Sequence, residues 1–187
     1  RPAKGILTNP GSFLIEWNKS NNNPKQNKWE NWHQKLSERN KKRWNVIKTQ
    51  ADADVDYINP MKLCMGINQH IEDGDIIVAD GGDFVATASY ILRPQSLSGW
   101  LDPGVFGTLG VGAGFLLGAK LTHPESVVWA IYGDGAFGYS LMEFDSFVRH
   151  NIPVIAIIGN DAGWTQIARD QVVMLDDPIS TELVASD

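Results

Sequence analysis

Apolar residues in the second half of the chain fall in short continuous runs, not in alternation. Residues 75–82 (DIIVADGG), 127–135 (VVWAIYGDG) and 152–163 (IPVIAIIGNDAG) each hold a β-rich apolar stretch that closes on glycine and polar residues. That is the pattern of a strand buried on both faces. Helical spacing separates the runs. Asn59 and Pro60 supply an N-cap and a first-turn proline for PMKLCMGINQHI. Residues 107–121 (GTLGVGAGFLLGAKL) read as a glycine-rich helix whose small residues allow close packing. Residues 140–150 (SLMEFDSFVRH) read as a helix with Leu141, Phe144 and Phe147 or Val148 turned inward. Upstream, Trp29, Trp32, Leu36, Trp44 and Ile47 form one partly apolar face of a helix over 29–48. Before it lies the brief apolar burst FLIEW (residues 13–17), followed by the polar run NKSNNNPKQNK.

Strands alternating with helices predict an α/β domain, a parallel sheet with helices on both faces. The layout divides the chain in three: residues 1–24 as the tail of a preceding domain and its linker, 25–58 as a connector helix and linker, and 59–187 as the α/β domain. No internal repeat of fixed period is present.

Charge sharpens this division. The net charge of −6 opposes a general nucleic-acid partner, yet residues 25–48 alone carry +6 and the remainder −12. A basic, solvated connector helix accounts for that stretch. A single cysteine, Cys64, excludes an internal disulfide and sits in an apolar run, where a buried structural thiol is expected. No apolar stretch approaches the roughly 20 residues of a membrane span. The chain opens without an initiating Met or a signal-peptide layout.

In open parallel sheets ligands bind beyond the carboxyl ends of the strands. Three strand ends carry DGGDF (residues 80–84), GDGAF (133–137) and GNDAGW (159–164). Asp134 and Asn160 are one strand–helix–strand unit apart. A carboxylate, an amide oxygen and a nearby backbone carbonyl make a hard oxygen set suited to Mg²⁺ or Ca²⁺. One carboxylate leaves positive charge on the ion for a phosphate group. Gly133, Gly135 and Ala136 can bring backbone N–H groups close to such a phosphate. No Walker A string exists, and Phe115 occupies the third position after Gly112, so the dinucleotide fingerprint fails.

GDGAFGYSLMEFDSFVRHNIPVIAIIGNDAG resembles the GDG-to-Asn motif of thiamine diphosphate enzymes of the acetolactate synthase-like superfamily. With VADGGDFVATA, WLDPGVFGTLGVGAGFLLGAKL and IGNDAGWTQIARDQV, it is similar to the 2-hydroxyacyl-CoA lyases within it. The resemblance covers residue 59 to the C-terminus. Residues 1–58 fit the end of that family's central domain and its linker.

The resemblance implies the thiamine diphosphate-binding fold, incomplete at the C-terminus, with Mg²⁺ as the second cofactor. Asp134, the Asn160 side chain and the Ala162 carbonyl would hold Mg²⁺. Gly135 and Ala136, with Gly82 and Asp83, would face the diphosphate, and Gly133 and Gly163 would flank it. Within Gly107-Thr108-Leu109, the Gly107 carbonyl would accept from the cofactor's amino group, and Leu109 would be the apolar wedge that bends the cofactor. Many members have two consecutive asparagines where this chain has Gly159 and Asn160. The activating glutamate of the family belongs to a separate N-terminal domain of a partner subunit and has no counterpart here, so the chain alone is expected to be inactive. Glu143 reads as structural.

The same resemblance implies cleavage of a 2-hydroxyacyl-CoA to formyl-CoA and an aldehyde one carbon shorter. It also implies a homodimer or homotetramer at full length. Location at the endoplasmic reticulum membrane would follow, through regions outside this chain. Carboligation or decarboxylation of the acetolactate synthase type, and a non-catalytic module keeping the fold, are the alternatives. Phe137, Tyr139 and Trp164 border either a channel or the core. His150 reads as a helix C-terminal residue, and Asp161 and Thr165 as neighbours of the metal loop.

Overall fold

The structure, a computed structural model, describes residues 4–20 and 29–183. Most of the polar run expected to be a linker, residues 21–28, lies outside the described residues, as do residues 1–3 and 184–187. The chain divides into two compact units, residues 1–48 and 49–187.

In the first unit the FLIEW burst is part of a helix, α1 (Pro10–Ser20). Asn9 opens it: its side-chain oxygen accepts from Ser12 N at 3.1 Å. The connector helix α2 spans Glu30–Ala51. Its apolar stripe is mostly solvated. Trp29, Trp32 and Leu36 are exposed, Trp44 is half-buried and Ile47 is buried.

The second unit is built from α3 (Pro60–Asn68), β1 (Ile76–Ala79), α4 (Asp83–Ile91), β2 (Trp100–Leu101), α5 (Gly112–Thr122), β3 (Val128–Gly133), α6 (Asp134–Gly138), α7 (Glu143–Arg149), β4 (Ile155–Gly159) and α8 (Thr165–Leu175). The four strands are all parallel, in the order β2-β1-β3-β4. Ile76, Val78, Val128, Ala130 and Tyr132 point to one face and pack with Ala113, Leu116 and Ala119 of α5 and Phe147 of α7. Ile77 and Ile131 point to the other and are equally buried, on the side that α4 covers. Helices on both faces are therefore what the strands' unbroken apolar runs required. At the edge, β4 is less covered, and Ile155 and Ile158 are about two-fifths exposed.

Asn59 caps α3 as expected, accepting from Met61 N and Lys62 N and donating to the Gln50 carbonyl. Cys64 is fully buried on this helix, and burial pushes its thiol up to about 11. Four boundaries depart from the apolar pattern. The helix α3 stops at Asn68, where 3₁₀-type bonds from Gln69 N and His70 N tighten the last turn before Gly74. The two-residue strand β2 carries too short a run for any periodicity. Residues 107–111 are not helical: Gly107 (φ 58°) and Gly110 (φ 85°) take left-handed backbone, which a right-handed helix excludes. Residues 140–142 form turns before α7, leaving Leu141 and Val148 exposed while Phe147 is buried and Phe144 packs on the core.

Candidate functional site: a glycine-lined cavity at the strand ends

The order β2-β1-β3-β4 makes the chain leave β1 in one direction and β3 in the other, so a crevice opens between their carboxyl ends. The polypeptide there is almost all backbone. Gly133 N donates to the Gly81 carbonyl at 2.9 Å, joining the two strand ends. A Cβ on residue 133 would stand 2.8 Å from Gly81 O, and one on residue 82 (φ 111°) would stand 3.2 Å from the Gly133 Cα. Side chains at these positions would fill the crevice that the glycines keep open.

The cavity at this point measures about 250 Å³. Of the residues expected at the site, Gly82, Asp83, Gly107, Leu109, Gly133, Asp134, Gly135, Ala136 and Gly163 line it. Thr108, Asn160 and Ala162 lie beside the wall and not on it. Thr108 is exposed on the segment between Gly107 and Leu109. A cavity of about 640 Å³ near Trp129 and α3 is larger, but it sits toward the start of β3, away from every polar strand end.

Register brings Asp134 and Asn160 to the same end of the sheet. Gly133 pairs with Gly159, so the residue that follows each stands at the same level on neighbouring strands. Asp134 is half-buried, with Oδ1 accepting from Gly135 N at 2.7 Å. Asn160 is exposed, and its Oδ1 accepts from Ala162 N at 3.1 Å, which curls the loop. That turn holds Ala162 at φ 53°, and its carbonyl accepts from Leu183 N at 2.7 Å. A carbonyl oxygen has a second lone pair, so this bond leaves Ala162 able to bind elsewhere. Among the described residues no group of three His, Cys, Asp or Glu side chains could hold a metal. The donors expected for the cation are the Asp134 carboxylate, the Asn160 amide oxygen and the Ala162 carbonyl. These fit a hard divalent cation that completes its shell with phosphate oxygens, and the open glycine crevice fits the phosphates themselves.

Several lining residues had no assigned role in the sequence reading. Gln166 and Ile167 extend from the start of α8. Arg169 Nη2 donates to Asp83 Oδ2 at 2.8 Å, across 86 residues, neutralising the one carboxylate on the β1 side of the cavity. Among residues left open, Trp164 is a wall: a Cβ on Gly135 would strike its indole at 2.6 Å. Phe137 belongs to the core and Tyr139 is largely exposed. Asp161 and Thr165 both line the cavity. Glu143 accepts from Ser146 and stays within its own helix, and His150 caps α7.

Gly159 has a direct steric reason. A Cβ there would lie 2.3–2.6 Å from atoms of the Phe84 side chain, which occupies the space. Gly159→Asn is therefore expected to cost about 1–3 kcal/mol through overpacking. Phe84→Ala should relieve part of that cost in the double variant. Thermal denaturation of the four proteins checks this, and strictly additive losses would refute the clash.

A parallel α/β sheet whose strand ends form a glycine crevice beside an oxygen-donor loop defines a diphosphate-binding domain. The family model for the thiamine pyrophosphate enzyme C-terminal TPP binding domain matches residues 80–184, and the chain belongs to that family. It is 45% identical to 2-hydroxyacyl-CoA lyase 2 of Mus musculus and 44% identical to that of Homo sapiens, in each case over 100% of this chain and 29% of the relative. The acetolactate synthase large subunit IlvG of Mycobacterium tuberculosis is 41% identical over 57% of this chain and 20% of its own length. The chain thus spans less than a third of the relatives it matches along its whole length.

Proposed function

We propose that the cavity holds the diphosphate of thiamine diphosphate together with Mg²⁺, and that the full-length protein is a carbon–carbon lyase acting on 2-hydroxyacyl-CoA. The observation that carries the reading is the Gly133–Gly159 register, which brings Asp134 and Asn160 side by side at the mouth of a crevice lined by glycine backbone. Asp134, the Asn160 amide oxygen and the Ala162 carbonyl bind the cation. Gly82 and Ala136 offer backbone N–H groups to the diphosphate; the Gly133 and Gly135 N–H groups already donate to the Gly81 carbonyl and to Asp134 Oδ1, so those two glycines, with Gly163, leave room for it. Asp83 is kept from repelling the diphosphate by Arg169. On the apolar side, Gly107 and Leu109 approach from the segment before α5 and exclude water from the reacting end. The electron sink for breaking a bond beside a carbonyl is what thiamine diphosphate supplies when bound.

The substrate class follows the relatives matched along the whole chain, and acetolactate synthase chemistry is the second reading, favoured by the 41% identity over 107 residues. Product analysis of the full-length protein separates them. A 2-hydroxyacyl-CoA should yield formyl-CoA and the aldehyde one carbon shorter, while pyruvate yields no acetolactate. Acetolactate formation without acyl-CoA cleavage would reverse the assignment. Membrane contact is assigned to parts of the full-length protein outside this chain. Among the described residues no helix is long and apolar enough to cross a membrane.

A further inference from the structure

Asp80 does not line the cofactor cavity, yet its carboxylate is almost wholly withdrawn from water, at 2% exposure. A buried carboxylate is costly unless hydrogen bonds compensate it. Here both oxygens are used: Oδ1 accepts from Gly110 N at 2.9 Å and Oδ2 from Gly112 N at 2.7 Å. These donors are 30 and 32 residues away and flank Val111, immediately after Leu109. The approach is close. A Cβ on Gly112 would stand 2.7 Å from Asp80 Oδ2 and 2.7 Å from the Tyr132 hydroxyl, and one on Gly110 would stand 2.7 Å from Tyr139 Cβ. At the other end, Gly107 N makes only a 3.3 Å bond to the Gly104 carbonyl, and Gly107 and Thr108 are exposed. The strong ties of this irregular segment are thus on its Asp80 side. Leu109 itself is seated on the residue next to Asp80: its Cδ2 would be 2.1 Å from a Cβ on Gly81.

We propose that Asp80 is the positioning residue of the 107–112 segment. Its two oxygens grip the Gly110 and Gly112 amides and so lock Leu109 against Gly81 at the apolar wall of the cavity. The effect on turnover rests on the proposed cofactor site; the grip does not. Asparagine is nearly isosteric but presents one acceptor, and its NH₂ would oppose the second backbone N–H. Asp80→Asn therefore tests acceptor count and charge at constant volume.

The experiment is hydrogen–deuterium exchange on the full-length protein, read over residues 107–115 and over 128–133, with turnover and Mg²⁺–thiamine diphosphate affinity measured in parallel. In Asp80→Asn, exchange at 107–115 should accelerate roughly 10- to 100-fold, the range for losing a charge-assisted hydrogen bond. Exchange over 128–133 should stay unchanged. The turnover number should fall at least about tenfold while cofactor Kd stays within about threefold, the split expected of lost geometry with retained binding. Gly112→Ala leaves Asp80 in place and pushes on the same contact; its methyl also meets the Tyr132 hydroxyl, so where Asp80→Asn does not fold it is read over 107–115 alone. Unaltered exchange at 107–115 in both variants overturns the proposal, as does acceleration spread equally over 128–133 in Asp80→Asn. Failure of the wild-type protein to bind thiamine diphosphate would instead overturn the cofactor reading, and the local exchange result would stand.

Discussion

Asp134→Ala in the full-length protein is expected to abolish Mg²⁺-dependent binding of thiamine diphosphate. Asp134 is the only carboxylate among the three proposed cation donors, so its loss leaves two neutral oxygens, Asn160 Oδ1 and the Ala162 carbonyl, to face a divalent ion. Outer-shell changes around metal sites already cost about 10–100-fold in affinity, and loss of a charged ligand should exceed about 100-fold. Asn160→Ala removes a neutral donor and also the bond from Ala162 N that curls the loop. It should weaken binding substantially without abolishing it. Titration calorimetry with Mg²⁺, and again with a chelator, reads both effects. Wild-type affinity in Asp134→Ala would remove the metal assignment, whereas loss of affinity that is equal with and without Mg²⁺ would assign Asp134 to shaping the crevice through its bond from Gly135 N and not to the cation.

The parts of this domain that were legible in the sequence are those set by unbroken apolar runs. A strand buried on both faces needs one, and residues 76–79, 128–133 and 155–159 supplied it. Their polar ends then had to fall at one edge of a parallel sheet. What could not be read was anything decided by contact between distant backbone atoms. The segment 107–111 has helical composition, but left-handed Gly110 is fixed by Asp80 and Tyr139, about thirty residues away on either side, and left-handed Gly107 closes the turn that begins at Gly104. The vacancy at residue 159 looks like a departure from the family until Phe84 is seen filling it. The stripe of α2 shows the limit of spacing alone: it gives one partly apolar face, and how far that face is covered depends on contacts, with Trp29, Trp32 and Leu36 exposed.

Leu109→Ala should reduce turnover about 100-fold while leaving cofactor affinity within about threefold, because small displacements at a reacting centre cost that much and the diphosphate contacts are untouched. The structure provides an independent way to move the same side chain. A methyl on Gly81 would lie 2.1 Å from Leu109 Cδ2, closer than any non-bonded carbon pair tolerates. Gly81→Ala must therefore displace Leu109 from the wall, at a stability cost of about 1–3 kcal/mol from overpacking. Removing Cδ2 removes the clash, so Gly81→Ala/Leu109→Ala should recover most of that stability. It should not recover turnover, because neither single change nor their combination restores an apolar group where Leu109 stood. Stability and turnover would then part in the double-mutant cycle, with strong coupling in the first and a common floor in the second. Denaturant unfolding and single-turnover kinetics on the four proteins measure the two quantities. Normal turnover in Leu109→Ala at saturating cofactor would show that the reacting geometry is held from elsewhere. If Gly81→Ala alone lost turnover, the requirement would then lie in the crevice backbone at Gly81 and Gly133.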